Sequence, residues 1–507
     1  MQQITTSLQK FPFRFWFTVF IILHLIVWTL APTLIVPTMP HDAIESIVWG
    51  WQWQLGYDKH PPLAAWLAAS FTDLFGTVGW PAYLLAQLAV VIAFGAIWRL
   101  ALKITTPLYA LISVFALEGI VYYNCAAIKF TPDTVQTPIW ALLILTFYFV
   151  IKEQKLWQWL ILGILAGLAI LGKYEAPLLF IAMFILLVVT PEGRRCFRSL
   201  GLYLAAIISI FVVSPHIIWA YHHHFPEIAY ALNSTTGSFH HLSQDSFFKR
   251  HALFAIKMLL DQLGIMIGLL LILLPFYFAP RTQLNVTRFD IIFLSFMAFG
   301  PLVLTLLYSI ISGSYLIHRW GIPYFSALGL WAIVLLRPEI SWQRFKWFLT
   351  IFIIVAIALP VGRFTWLAYI GPYWAKNTRA DAYYPAKPIA TWTTNYWHQN
   401  YHTPLSYIGG DHYLTAYISA YSTDHPTPFM GLSLSQSTWI NLNSMHQKGT
   451  MLAWQTGPSE AYELPPLAKQ IFPNAKLLPE QIFYKLINGK KDPVYIGFAV
   501  VPPGQTN

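Results

Sequence analysis

About eleven runs of roughly 20 apolar residues, each bounded by polar or charged residues, follow one another through the first three quarters of this 507-residue chain. A run of that length crosses the hydrocarbon of a bilayer as a helix, where all backbone groups must find partners within the protein. The runs lie at roughly 15–36, 79–101, 105–124, 134–151, 156–172, 176–190, 199–220, 253–279, 290–312, 320–336 and 346–368. Composition agrees. Hydrophobic residues make up 57% of the chain and charged residues only 10%, against about 25% charged in a soluble globular protein. So little charge cannot clothe a water-facing surface. That excludes a cytosolic enzyme, a nucleic-acid binder and a disordered protein. The expected fold class is a multi-pass α-helical membrane protein with about eleven transmembrane helices.

The net charge of +10 fits the excess of Lys and Arg in the cytoplasmic loops of membrane proteins. The first run is too long, and its far end too poor in small residues, for a cleaved signal peptide. It reads as a signal anchor with its N-terminus in the cytoplasm. The cytoplasmic loops then hold Lys10, Arg14, Arg99, Lys103, Lys152, Lys155, Arg194, Arg195, Arg198, Arg281, Arg288, Arg337, Arg344 and Lys346. The outer loops hold only Lys59, Lys129, Lys173, Lys249, Arg250 and Arg319. This asymmetry has the sign that the positive-inside rule demands, and an odd number of spans puts everything after about residue 368 outside. Cys125 and Cys196 fall on opposite sides and form neither a disulfide framework nor a zinc pattern.

Two domains are expected: a membrane domain over 1–368 and an extracytoplasmic domain over 369–507. The second is rich in Tyr, Pro, Thr, Asn and His. Gly409-Gly410-Asp411 and Thr427-Pro428 read as turns, and Tyr407-Ile408 and Phe498-Ala499-Val500-Val501 as strands, so a small α/β domain is expected. The long outer loop 37–78 carries an amphipathic piece (Ala64, Trp66, Leu67, Phe71) suited to lie along the membrane interface, and Trp49, Trp51 and Trp53 suit the same depth. A second long outer loop, 221–252, is rich in His.

Acidic residues are scarce, so their placement is informative. Asp42 and Glu45 follow the first span at a spacing of three, which puts them on one face of a helix. A carboxylate beside a lipid phase has a raised proton affinity and suits a general base; the same pattern also caps a helix. Gly56-Tyr57-Asp58-Lys59-His60-Pro61-Pro62-Leu63 presents Lys59 and His60 to a phosphate, or anchors the loop at the headgroups. Lys129-Phe130-Thr131-Pro132-Asp133 places an acid at the next outer turn, with an N-cap as its plain reading. Lys173-Tyr174-Glu175 and His318-Arg319-Trp320 occupy two further outer junctions, where an ionisable residue at membrane depth is a functional candidate. His222, His223, His224, His240 and His241 invite a metal, but three adjacent residues cannot converge on one ion and no carboxylate or Cys stands at ligand spacing. Glu118, Lys257 and Asp261 lie in or beside spans and receive no specific role.

The acidic pair after the first span, the Gly-Tyr-x-x-His-Pro-Pro-Leu stretch and the Thr-Pro-Asp turn resemble the glycosyltransferase C superfamily, most of all its family-39-like branch. That branch includes the protein O-mannosyltransferases, the aminoarabinose transferase of lipid A, and bacterial galacturonosyl- and galactosaminyl-transferases acting on lipopolysaccharide. Lys173-Tyr174, the junction His318-Arg319-Trp320-Gly321-Ile322-Pro323 and the soluble C-terminal segment are similar to the bacterial members. The resemblance implies a donor sugar joined through one phosphate to a polyprenol, inversion at the anomeric carbon, and no nucleotide-sugar binding. It implies Asp42 as catalytic base with Glu45 in the same motif, and Asp133 at a second acidic position that orients acceptor or base. His60 stands where some relatives carry a Lys that binds the phosphate. A neutral His is a weaker phosphate partner, so Lys59, Lys173 or Arg319 shares that task. Tyr57, Tyr174 and Lys129 are candidates for contacts to sugar or acceptor.

The reading is a bacterial inner-membrane enzyme, its active site and C-terminal domain periplasmic. It moves one sugar from an undecaprenyl-type phosphate to an outer acceptor, lipid A or lipopolysaccharide core. No cofactor is required, since Lys, His and Arg neutralise the phosphate, although a divalent metal is compatible. The partners are the lipid-linked sugar, its acceptor and the membrane lipids, and no nucleic acid. Two alternatives stand beside it: a protein O-glycosyltransferase of the same fold, and a multi-pass transporter or flippase. Transporters gather binding groups near the midplane and often show internal repeats, neither of which is visible here.

Overall fold

The structure is a computed structural model that describes residues 12–76, 78–236, 246–374, 381–457, 462–487 and 489–504. Each of the eleven apolar runs contains a helix. Six are long and apolar enough to cross a membrane: Phe13–Ile35, Trp80–Ile104, Pro132–Glu153, Leu200–His222, Arg288–Ser312 and Trp342–Tyr373. A seventh span is broken, with Lys249–Ile265 and Ile267–Tyr277 meeting at 63°. The remaining runs form shorter apolar helices: Pro107–Leu117, Leu156–Gly172, Ala176–Val189 and Leu328–Leu336. The expected run 320–336 thus yields a helix only over its second half, preceded by the 3₁₀ turn His318–Gly321. The run 105–124 ends as a helix at Leu117 and continues into a 3₁₀ turn at Val121–Tyr123.

The chain divides into two compact units. The first comprises Met1–Leu30, Lys59–Leu63 and Tyr83–Arg363. Within it, helix Leu156–Gly172 packs on Leu200–His222. Gly163 and Gly167, four residues apart, open the seam: a Cβ on Gly163 would meet the Ala205 carbonyl oxygen at 2.6 Å, and one on Gly167 would meet Val212. Small residues at that spacing let two helix backbones approach where lipid offers no hydrophobic drive to associate. A buried polar knot ties the first helix in place. His24 Nδ1 lies 2.8 Å from Glu118 Oε2 and Nε2 lies 3.1 Å from Gln87 Oε1, while Trp28 Nε1 donates to Glu118 Oε1 at 3.3 Å. Glu118, unassigned from sequence, is therefore a satisfied buried acid. Lys257 and Asp261 pair one helical turn apart at 2.5 Å.

The second unit comprises Ala31–Asp58, Ala64–Ala82 and Phe364–Asn507. Its core is a six-stranded sheet of β1 (Tyr407–Gly410), β2 (Thr427–Met430), β3 (Thr450–Thr456), β4 (Lys476–Leu477), β5 (Gln481–Tyr484) and β6 (Pro493–Val501). The order is β2-β1-β3-β6-β4, with β5 also pairing β6. β1 runs parallel to β2 and β3, with helix His412–Tyr421 as the β1–β2 crossover; β6 is antiparallel to its neighbours. The expected strands at 407–408 and 498–501 are present, but two expected turns are not. Thr427 and Pro428 lie inside β2, an edge strand, where a residue lacking an N–H is tolerated on the open side. Gly409 and Gly410 end β1, and Asp411 is the N-cap of the helix that follows.

The long loop 37–78 contributes two helices to this unit, His41–Gly50 and the expected amphipathic piece, Leu63–Phe75. Gly50 makes their close contact possible, because a Cβ there would lie 2.0 Å from the Ala65 carbonyl oxygen. Trp49 departs from the interfacial expectation: it is 1% exposed and stacks on Tyr57 with centroids 5.1 Å apart. Trp51 donates its indole N–H to Asp73 at 2.8 Å, and Trp53 alone of the three is largely exposed.

Candidate active site

In the second unit, helix His41–Gly50 begins at the end of Pro40, whose fixed φ favours a helix start. Pro40 holds the cap position and no side chain caps the helix. The capping alternative for Asp42 therefore fails, and the carboxylate is left for other work in the first turn. His41 Nε2 lies 3.1 Å from Asp42 Oδ1, and both side chains are about one quarter to one third exposed. Glu45 is buried and hydrogen-bonded to His412 Nε2. Ser46 Oγ donates to the Asp42 carbonyl at 3.0 Å and fixes that turn. Tyr57 is buried between Trp49 and Trp439. Burial pushes its phenol well above the ordinary tyrosine value, partly offset by the Gln54 backbone.

In the first unit, the turn between helices Leu156–Gly172 and Ala176–Val189 faces the start of helix Pro132–Glu153. Thr131 occupies the cap position of that last helix, so Asp133 is not the cap and its carboxylate is used elsewhere. Lys173 Nζ donates to Asp133 Oδ1 and to Glu175 Oε2, the latter at 3.0 Å. Its ammonium also lies 5.4 Å from the centroid of the Trp320 ring, which places the turn holding Arg319 against the same cation. Burial works against the Lys173 ammonium, but the two carboxylates outweigh it and hold its pKa above the usual lysine range. Burial pushes the Glu175 carboxyl up; Lys173 opposes that rise and Asp133 adds to it. Glu175 Oε1 is buried without a hydrogen-bond partner among the described residues. The cluster thus sets one fixed cation between two acids, of which Glu175 takes up a proton more readily than an exposed carboxylate. It has one unfilled acceptor site.

Tyr174, beside this cluster, places its hydroxyl 2.5 Å from His216 Nε2, and His216 lies 3.8 Å from the buried Glu227. Helix Pro226–Thr236, which carries Glu227, also carries Tyr230. The Tyr230 ring lies 6.0 Å from Lys59 Nζ and 5.9 Å from the ring of His60. Lys129 is half-buried, and its carbonyl accepts from Thr134 Oγ1 at 2.7 Å. Of the residues singled out from sequence, the first unit brings Asp133 and Lys173 into direct contact and gives Lys59 and His60 a shared aromatic neighbour. Asp42, Glu45 and Tyr57 belong to the second unit. Sequence reasoning missed His412, His216, Glu227 and Tyr230, and named Trp320 only as part of its junction. A His and a Glu within or just after an apolar helix were the available signal for His216 and Glu227; His412 offered none locally. Of the His-rich loop, His240 and His241 lie outside the described residues, and His223 Nδ1 lies 2.8 Å from the Trp219 carbonyl oxygen.

The sequence profile described as dolichyl-phosphate-mannose-protein mannosyltransferase matches residues 59–219. That segment holds Lys59, His60, Lys129, Asp133, Lys173, Tyr174 and Glu175. No curated protein matches the chain in sequence. Over the whole length the fold is that of ArnT from Cupriavidus metallidurans. The structure of that protein bound to undecaprenyl phosphate superposes with a TM-score of 0.64 at 13% identity, covering 97% of this chain and 99% of the other. Its apo structure gives 0.59 at 14% identity with the same coverage.

Proposed function

We propose, from the premise that this chain is a glycosyltransferase of the C superfamily in its fold and, over residues 59–219, in its sequence, that it transfers one sugar from an undecaprenyl-type monophosphate to the outer leaflet. The acceptor we assign is lipid A or lipopolysaccharide core, on the inner membrane's periplasmic side. The observation that carries the reading is the Lys173–Asp133–Glu175 cluster, which gathers ionisable groups at a turn between two apolar helices inside the matched segment. The undecaprenyl phosphate held by ArnT, whose fold spans nearly all of this chain, supports the donor class.

The chemistry is an inverting displacement. An acceptor hydroxyl attacks the anomeric carbon, the bond to the phosphate oxygen breaks, and the hydroxyl proton passes to a carboxylate. Asp42 takes that proton. Developing charge on the departing phosphate is met by cations, for which Lys59, His60, Lys173 and Arg319 are the candidates. Lys173 already faces two carboxylates, so its charge reaches an anion most fully when Glu175 holds a proton. Asp133 keeps that ammonium in place, and the open Glu175 Oε1 accepts from a sugar or acceptor hydroxyl. Tyr57, Tyr174 and Lys129 are further candidates for such contacts. These cations suffice to neutralise a monophosphate without a metal.

A protein hydroxyl as acceptor is the second reading, favoured by the description of the profile that matches residues 59–219. Mass spectrometry of lipid A, core and exported proteins from cells with and without the gene separates the two. Loss of one sugar from lipid A or core supports the first; loss from an exported protein replaces it with the second. No glycan change, together with substrate flux in proteoliposomes, refutes both.

A further inference from the structure

In the first unit, the turn between helices Ala176–Val189 and Leu200–His222 is tightly built. It contains one short helix, Pro191–Cys196. Thr190 caps that helix, its Oγ1 accepting from the Gly193 N–H at 3.1 Å. Gly193 lets the turn fold back on the preceding helix, because a Cβ there would lie 2.5 Å from Leu187 Cα. Cys196 is buried, with Gln154 Nε2 3.1 Å from its sulfur. Phe197 keeps helical dihedrals and the Arg198 N–H donates to the Arg195 carbonyl at 3.1 Å, so the helical course continues to Arg198. Ser199 then caps the next helix, accepting from the Gly201 N–H at 3.3 Å. Thr190, Gly193 and Cys196 fix the inner face of the turn. Its outer face carries Arg194, Arg195 and Arg198, all exposed, and helical spacing makes the first and second of these neighbours of the third.

The lysines at this end of the unit are matched by acids. Lys155 and Lys103 meet Glu153 at 3.0 and 3.5 Å, and Lys152 meets Asp290 at 3.4 Å. The three arginines are not matched. Among the described residues none of them pairs with a carboxylate, although Glu192 stands in the same short helix. Arg194 Nη1 donates instead to the Val188 carbonyl at 3.1 Å, which folds its guanidinium over the end of the apolar helix. Apolar surface begins directly on both sides of the turn. Phe184, Val188 and Val189 before it, and Leu200, Tyr203 and Ile207 after it, are exposed. Helix Leu200–His222 is long and apolar enough to span a bilayer. Acyl chains then cover these side chains, and the guanidiniums at the helix ends come level with the lipid phosphates.

We propose that this turn is a binding site for an anionic phospholipid, with the three arginines holding its phosphodiester and the flanking apolar side chains its acyl chains. The occupant follows from two features together. Positive charge without a matching acid selects an anion, and a guanidinium grips a phosphate through paired N–H donors. Apolar surface adjoining that charge on both helices selects an anion with tails. The proposal does not depend on sugar transfer or on the Lys173 cluster.

The test is native mass spectrometry of the purified full chain in neutral detergent, titrated with phosphatidylglycerol, with phosphatidylcholine of the same acyl chains, and with glycerophosphate. The wild type should retain phosphatidylglycerol in preference to phosphatidylcholine, and glycerophosphate, the anion without tails, should not be retained. Arg194→Gln, Arg195→Gln and Arg198→Gln should each weaken phosphatidylglycerol binding about fivefold, and the triple variant should erase the preference. Arg99→Gln/Arg281→Gln/Arg288→Gln removes the same charge from exposed positions elsewhere and should keep it. The single variants carry the test where the triple variant fails to fold. A wild type without the preference, equal losses in the two triple variants, unchanged binding in all three single variants, or glycerophosphate bound as tightly as phosphatidylglycerol each overturns the proposal.

Discussion

Replacing Lys173 by Met keeps most of the side-chain stem and removes only the charge that two acids share. The Asp133 and Glu175 side chains are 20% and 8% exposed, so water replaces little of what the ammonium provided. Breaking a buried pair by removing one partner costs about 3–5 kcal/mol, and two carboxylates are stranded here. The sign of the pH dependence follows. In the variant Glu175 loses the cation that opposes its burial, so its folded-state pKa stands further above the unfolded one. Stability is then retained below the ordinary carboxylate range and lost as pH rises through the raised value, by up to about 1.4 kcal/mol per unit for the one proton. The wild type behaves differently at high pH. Its raised Lys173 pKa contributes stability that persists below the ordinary lysine value and disappears only as pH climbs through the folded one. Thermal unfolding in detergent, followed by Trp fluorescence, should therefore show Lys173→Met far below wild type at about pH 8 and closing on it at about pH 5. The neutral triple variant Lys173→Met/Asp133→Asn/Glu175→Gln should recover most of the loss. Equal midpoints for wild type and Lys173→Met at the higher pH, or a deficit that ignores pH, would refute the account of the cluster.

Asp42→Asn should abolish sugar transfer while shifting the unfolding midpoint little, because the side chain is partly exposed and caps no helix; transfer within a few-fold of wild type removes it as the base. Arg319→Ala and Lys59→Ala should each raise the KM for the lipid-linked donor; an unchanged KM in both takes them out of phosphate binding. Gly50→Val drives a side chain into the Ala65 backbone and should cost about 1–3 kcal/mol, read as a lowered unfolding midpoint that Gly95→Val, with open space around it, does not share. Burial raises the Asp411 pKa, opposed by the Gln455 N–H. Its ionised form therefore costs stability above the ordinary carboxylate range, and Asp411→Asn should raise the midpoint at neutral pH but not in acid.

The membrane helices were legible because bilayer thickness fixes their length and apolar runs announce it. Their interruptions were not. The 63° break near Met266 follows Lys257, Asp261 and Gln262, and the late start of helix Leu328–Leu336 follows Gly321 and Pro323, but the hydropathy averaged over each run stays high enough to hide both boundaries. Lys173 and Asp133 were recognisable as charges stranded at turns between apolar runs, and the three-residue spacing of Asp42 and Glu45 as one helix face. Their partners were not recognisable. Glu175 was visible only as a neighbour, and the pairing of Glu45 with His412 depends on the packing of a whole sheet domain. Trp49 shows the same limit: indole chemistry suits an interface and a core equally, and only the neighbouring Tyr57 decides between them. Thr427-Pro428 misled because proline's rules for turns and for edge strands give the same local composition.

The contact between Glu45 and His412 also orders events during biogenesis. A ribosome delivers the acidic helix early and the histidine some 367 residues later, after every hydrophobic run has been threaded into the bilayer. Until then Glu45 has no access to the imidazole that meets it in the folded domain. A chain cut short before residue 412 therefore lacks this contact, however many of its apolar helices have already inserted.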